Sequence, residues 1–127
     1  MKAAVRRKYG SPDVIRIEDI ETPVPKDNEV LIRVRATTVN RTDCANLTAK
    51  PFIMRFVLGL NKPIKKIIGT DYAGEIVDLG KNATAFQLND RVFGFYDTGL
   101  ESQAEYIAVK EEHVWKIPSN LDFNMAV

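Results

Sequence analysis

The stretch from Ile68 to Gly94 constrains this chain more than any other. It reads Ile68-Gly69-Thr70-Asp71-Tyr72-Ala73-Gly74-Glu75-Ile76-Val77-Asp78-Leu79-Gly80 and, after a polar loop, Asp90-Arg91-Val92-Phe93-Gly94. Gly69, Gly74 and Gly80 punctuate a run whose β-branched centre is Glu75-Ile76-Val77. Glycine inside a strand marks a bulge, a bend at a barrel corner, or close approach of another backbone. Glycine at both ends and in the middle therefore predicts a tightly curved sheet. Asn89-Asp90 opens with turn residues and becomes apolar at once, which predicts a second strand through Gly94. Lys81 to Phe86 joins the two as a polar loop closed by an aromatic plug.

Size and charge narrow the classes that can use such a sheet. A chain of 127 residues makes one domain with a single core, burying roughly two-thirds of its unfolded surface. With 18 basic and 17 acidic side chains and a net charge of +1, there is no electrostatic case for nucleic acid or a membrane surface. One cysteine, Cys44, excludes an internal disulfide and suits a reducing compartment. Met1 to Lys8 lacks the apolar run of a signal peptide. Phe52 to Leu60 is too short to span a bilayer. The expectation is a soluble, cytoplasmic protein.

Taken in order, the chain reads as short strands with two brief helices. Ala3-Ala4-Val5 is a first strand, closed by a turn over Tyr9 to Asp13. Val14 to Ile20 alternates from Ile15 onward, the period of a strand with one wet face. Thr22-Pro23-Val24-Pro25 is an extended connector, since neither proline can donate to a ladder. Glu29 to Asn40 is the longest strand expected, with Val30, Ile32, Val34 and Ala36 on one face and Arg33, Arg35 and Thr37 on the other. Asn40-Arg41-Thr42-Asp43 breaks that pattern, and its capping residues predict a short helix over about Thr42 to Leu47. In Phe52 to Leu60, residues Phe52, Phe56 and Leu60, with Ile53 and Val57, share one helical face that reads as core, with Gly59 as C-cap. Lys62, Lys65 and Lys66 read as a solvated face. Phe95 to Ser102 is a loop, Gln103 to Val109 and Val114 to Ile117 are strands, and a helix begins near Asn124. About seven short strands at regular spacing indicate an all-β barrel with helical inserts.

Two blocks, G-T-D-Y-A-G-E-I-V-D-L-G followed by D-R-V-F-G, with N-R-T-D before them, resemble the N-terminal domain of the medium-chain dehydrogenase/reductase superfamily. The likeness covers nearly the whole chain and is to the zinc-free branch of quinone oxidoreductases and NAD(P)-dependent alcohol dehydrogenase-like proteins. It implies a mainly β, GroES-like, partly open barrel with one or two short helices. Residues 1–117 would be the catalytic, substrate-side domain, and 118–127 the start of the connection to a Rossmann domain. No G-x-G-x-x-G fingerprint occurs in the chain, so that second domain would lie beyond Val127 and the chain would be a fragment, inactive alone.

The resemblance also assigns roles. Asn40 would meet the nicotinamide end of the cofactor and the substrate carbonyl, where a neutral amide can donate to a developing oxyanion. Arg41 would lie near the cofactor phosphates, and Thr42 would take the place of a proton-relaying hydroxyl. Asp43 and Asp71 would border the substrate cleft. The Phe52 to Leu60 insert, with its R-F-x-x-G-L pattern, resembles one subgroup of NAD(P)-dependent reductases in which it borders the cleft too. From the residues alone, Asn40 or Thr42 caps a helix, and Asp71 either pairs with an arginine or satisfies backbone donors at a bend. The cofactor implied is NADP(H), held mainly by the second domain, which would also carry most of any dimer contact. The substrate implied is a quinone, an activated alkene or a carbonyl compound.

No zinc is expected. Relatives that use zinc place a cysteine where Asn40 stands and a histidine where Thr70 stands, and amide and hydroxyl are poor zinc ligands. The four-cysteine lobe that would follow Gly94 is also missing. Cys44 reads as a half-buried spectator thiol, and His113 as a surface residue before a strand. Two other readings remain open: a non-enzymatic GroES-like binding or assembly module, and a zinc alcohol dehydrogenase relative that has lost its ligands. The N-R-T-D corner favours the enzyme, because a co-chaperonin would carry a glycine-rich mobile loop instead.

Overall fold

A computed structural model describes residues 1–97 and 99–127. Two open antiparallel sheets carry the fold. The smaller pairs β1 (Lys2–Val5) with β2 (Arg16–Asp19). The larger holds β3 (Glu29–Ala36), β4 (Asp71–Leu79), β5 (Arg91–Phe95), β6 (Tyr106–Lys110) and β7 (Trp115–Lys116) in the order β6-β3-β4-β5-β7. Isolated bridges at Ala3–Ala104 and Val5–Ile67 join β1 to the chain flanking the larger sheet. The barrel is thus partly open. Three short helices are inserted: α1 (Arg41–Thr48), α2 (Arg55–Leu58) and α3 (Phe123–Ala126).

The core follows from strand alternation. Val30 and Ile32 of β3, Tyr72 and Ile76 of β4, Val92 of β5, and Ile107 and Val109 of β6 point to one side and are buried. Phe86, from the loop after β4, packs against this cluster as the plug its position suggests. The Tyr72 hydroxyl donates to the His113 carbonyl at 3.1 Å, satisfying a polar group that burial would otherwise penalise.

The glycines of β4 do what the curvature requires. The β3–β4 register shifts between Leu31 and Ile32 and again between Val34 and Ala36. The first shift leaves Val77 unpaired and turns it outward beside Asp78, which breaks the alternation there. Bulges of this kind bend the strand and increase its twist. Between them lies Gly74, where a Cβ would run into the Arg33 carbonyl of β3. Gly69 has φ +115°, a conformation that side chains disfavour.

Several expectations are corrected. β3 ends at Ala36 rather than Asn40, because Thr37 and Thr38 turn their hydroxyls to Asp71. β2 has no buried face, and Ile17 is 70% exposed, since the two-stranded sheet has nothing covering that side. The run Phe52 to Leu60 forms a 3₁₀ turn (Phe52–Met54) and then the four-residue α2, capped by Gly59. Its apolar face is not core: Phe52, Ile53, Phe56, Val57 and Leu60 are all exposed. Cys44 is exposed rather than half-buried. The expected loop Phe95–Ser102 begins one residue later and includes Thr98, which lies outside the described residues. No helix among the described residues is long and apolar enough to cross a membrane.

Candidate functional site

The corner between β3 and α1 is built around one amide. Asn40 is the N-cap of α1, and its Oδ1 accepts from the Asp43 N–H at 3.1 Å while Asp43 Oδ2 accepts from the Asn40 N–H at 3.1 Å. This reciprocal box satisfies two of the backbone donors that a helix start leaves open. The other end of the amide points at β4: Asn40 Nδ2 donates to Thr70 Oγ1 at 2.8 Å and lies 3.3 Å from Asp71 Oδ2. Asp71 in turn accepts from the Thr38 N–H at 2.8 Å, from Thr37 Oγ1 at 3.1 Å and from the Thr38 hydroxyl. It satisfies donors at a bend, and no arginine pairs with it among the described residues. Through this network the start of α1 is tied to the start of β4.

Asp43 is the most buried charge of the corner, at 2% exposure. Burial raises its carboxyl above the ordinary aspartate range, opposed by the Asn40 N–H and the Thr70 hydroxyl and reinforced by the Asp71 charge. Its Oδ1 has no hydrogen-bond donor among the described residues. The Thr70 hydroxyl therefore acts on it as a nearby dipole rather than through a formed bond.

Beside the corner lies a cleft of about 520 Å³. One wall is the outer face of α1, with Arg41, Thr42, Ala45 and Asn46, and the opposite wall is Met54, Val57 and Leu58 of the α2 segment. Asn46 Nδ2 donates to the Asp97 carbonyl at 3.3 Å and anchors the loop that closes one end. Arg41 makes no ion pair, and Thr42 no side-chain hydrogen bond, among the described residues. A free guanidinium and a free hydroxyl on a polar wall, facing an apolar wall, can orient an amphiphilic molecule carrying anionic or carbonyl oxygens.

The donors that meet at the corner do not suit zinc. The two positions where zinc-using relatives are expected to carry ligands, Asn40 and Thr70, are adjacent and bond to each other. Among the described residues no group of three or more His, Cys, Asp and Glu could hold a metal. Arg41 and Thr42 instead offer uncommitted donors to anionic or carbonyl oxygens.

The description "alcohol dehydrogenase GroES-like domain" matches residues 26–119. The chain belongs to that family. The GroES-like domain is 36% identical over 125 residues to a human quinone oxidoreductase, covering 97% of this chain and 35% of the relative. It is 32% identical over 134 residues to an NADPH-dependent alkenal/one oxidoreductase of Arabidopsis thaliana, covering 99% of the chain and 33% of that relative. A solved structure of a quinone oxidoreductase from Coxiella burnetii superposes with a TM-score of 0.84 at 25% identity, over 99% of this chain and 39% of that one. The chain thus spans about a third of the length of the curated relatives it matches, and the medium-chain dehydrogenase/reductase fold is plain.

Within the GroES-like domain, the residues expected at the site separate into two sets. Arg41 and Thr42 line the cleft, while Asn40, Asp43 and Asp71 form the network behind it. Asp43 does not border the cleft, because the capping box turns it inward. Thr70 and Asn46 were not expected as site residues, and the stretch that holds Met54, Val57 and Leu58 was read first as core, with a cleft-side place implied only by resemblance. For Asn46 a signal existed, since it lies four residues after Thr42 on one helical face. For the α2 residues the apolar stripe gave no direction, and the signal was the R-F-x-x-G-L pattern. His113 stacks its ring 4.5 Å from Tyr96 and lies outside this site.

Proposed function

We propose that this chain is the substrate-side domain of an NAD(P)H-dependent oxidoreductase that reduces quinones or activated alkenes without zinc. The observation that carries the reading is the two-walled cleft at the β3–α1 corner, with uncommitted Arg41 and Thr42 facing Met54, Val57 and Leu58. Residues 118–127 would begin the connection to a nucleotide-binding domain, and the relatives' names support NADPH as the reductant. When bound, the dihydronicotinamide supplies a hydride. The chain's own part is to place the substrate against the apolar wall, hold the cofactor's anionic or amide groups with Arg41, and donate from the Thr42 hydroxyl to the oxygen that gains charge. Asn40 positions this corner; its amide would reach substrate oxygen only by releasing Thr70 or Asp71. The domain alone would bind cofactor poorly and not turn over, and the longer protein would act in the cytoplasm, with homodimer contacts outside this domain.

The test uses a longer protein carrying this domain, assayed with NADPH and with quinone or alkenal acceptors, with and without chelator. Thr42→Ala should lower kcat by roughly a hundredfold, as for loss of a positioned donor, and Arg41→Ala should mainly raise the KM for NADPH. Turnover abolished by chelator, or no NADPH binding at all, would sink the reading. In the latter case the exposed apolar face of Phe52, Ile53 and Phe56 would favour the binding or assembly module instead.

A further inference from the structure

The near balance of charge over the whole chain hides a segregation. Between Asp43 and Asp71 stand Lys50, Arg55, Lys62, Lys65 and Lys66, with no acidic residue among them. Five of the 18 basic side chains thus lie on a stretch that holds none of the 17 acidic ones, which leaves the rest of the chain net negative. None of the five forms an ion pair among the described residues. Arg55 is half-buried, its guanidinium 5.0 Å from the Tyr9 ring and 5.1 Å from the Phe52 ring. Lys65 donates to the Gly99 carbonyl, while Lys50, Lys62 and Lys66 stand exposed.

The same stretch holds an apolar surface in solvent. Phe52, Ile53, Phe56, Val57, Leu60 and Ile64 are each more than half exposed. Local folding makes them neighbours. The 3₁₀ turn runs directly into α2, and the Ile64 N–H donates to the Leu58 carbonyl at 2.9 Å, which returns the Ile64 side chain to Gly59. Tyr9 fastens the unit to the domain, its hydroxyl donating to the Gly59 carbonyl at 2.7 Å. Of the six apolar residues only Val57 lines the cleft, so the candidate site does not account for the others. Exposed apolar residues scattered singly need no explanation, but a contiguous group marks a contact. Beside this group runs an open groove of about 650 Å³ whose charged lining is basic throughout: Arg7, Lys62 and Lys66, with Leu60 and Ile64 as apolar wall. Arg7 is already paired with Glu18, which leaves the two lysines uncommitted.

We propose that the segment from Lys50 to Lys66 is a docking surface for an anionic phospholipid membrane. Its apolar side chains enter the boundary between headgroups and acyl chains, and Lys50, Lys62 and Lys66 meet the lipid phosphates and carboxylates. Charge decides against a second copy of this chain, because a self-complementary contact sets one basic segment against the other. Composition decides against a protein partner: four of the five cations are lysines, a residue depleted in protein interfaces. A nucleic acid would give the phenylalanines nothing to enter. The surface stands independently of the oxidoreductase reading.

The experiment is cosedimentation of the 127-residue chain with phosphatidylcholine–phosphatidylserine vesicles, against pure phosphatidylcholine vesicles. Binding should saturate, should be at least about tenfold tighter to the anionic vesicles, and should weaken with salt. Lys62→Gln and Lys66→Gln should each weaken it about fivefold. Phe56→Ser should weaken it about tenfold with little change in the urea midpoint, so that the loss is not one of folding. Equal binding to pure phosphatidylcholine would make the face merely adhesive. An unaffected Phe56→Ser variant would leave a charge contact that inserts nothing. Dimers without vesicle binding would assign the face to a second copy, and binding by this chain but not by a longer protein carrying it would assign the face to the rest of that protein. No binding to either vesicle would leave no membrane surface. Each of these results overturns the proposal.

Discussion

Asn40 does several jobs with one small side chain. Its oxygen caps α1 and its nitrogen bridges Thr70 and Asp71 of the neighbouring strand. Asn40→Ala should therefore lower stability by about 1–3 kcal/mol, from loss of a cap and of a partly buried link, read as a lower urea midpoint. Asp43 offers a sharper test, because its folded-state pKa is raised. The folded protein holds that proton more tightly than the unfolded chain, so between the ordinary aspartate value and the raised one the unfolded state binds fewer protons. By linkage this group's contribution to stability is fully present below the ordinary value and falls as pH rises through the raised one. Asp43→Asn keeps an acceptor for the Asn40 N–H but cannot ionise. Urea unfolding from pH 3 to pH 7 should show the stability of the variant rising more steeply with pH than that of the parent, which gives up the Asp43 contribution over that range. An unchanged slope would mean the carboxyl is not held protonated.

At the level of elements, β4 and α2 contrast in what their residues tolerate. Gly74 sits where β4 passes so close to Arg33 that a single methyl would strike backbone. Gly74→Ala should cost about 3 kcal/mol or more, seen as a large drop in Tm. Gly10→Ala would meet only the Val14 side chain, and should cost far less. The apolar stripe of the α2 segment behaves oppositely. Phe56 is 73% exposed, so Phe56→Ser should change stability by no more than about 0.5 kcal/mol, whereas a buried phenylalanine truncated to a small residue costs about 3–5 kcal/mol. Urea unfolding of that variant distinguishes a surface stripe from a core one. The apolar character of Phe52 to Leu60 was legible, but the run splits into a 3₁₀ turn and a four-residue helix, and its destination was missed because periodicity reports that a face is apolar and not what covers it.

Across the whole molecule, cohesion is uneven. The β3–β4–β6 centre buries Val30, Ile32 and Ile76 completely, while the β1–β2 sheet is fastened through isolated bridges and leaves Ile17 in solvent. Amide hydrogen exchange should accordingly be graded. Val30, Ile32 and Ile76 should open only with global unfolding, and β2 amides should exchange well before them. Uniform protection over both sheets would mean that they unfold as one unit.

By itself the amino-acid sequence determined the strand count, the glycine-forced curvature of β4, a capped helix start within Asn40 to Thr42 and the family. Each of these is local: alternation, φ demands and capping are settled by residues a few positions apart. The tertiary structure alone decided which of the signalled residues line the cleft. Long-range hydrogen bonds to Thr70, Thr37 and Thr38 engage Asn40 and Asp71, and the capping box engages Asp43, so that all three support the corner behind Arg41 and Thr42. The burial of Arg6 beside an apolar cavity had no sequence signal, because a basic residue after a short strand normally points to water. It is buried because α1, the loop after α2 and the approach to β4 converge on it, and only folding brings those three segments together.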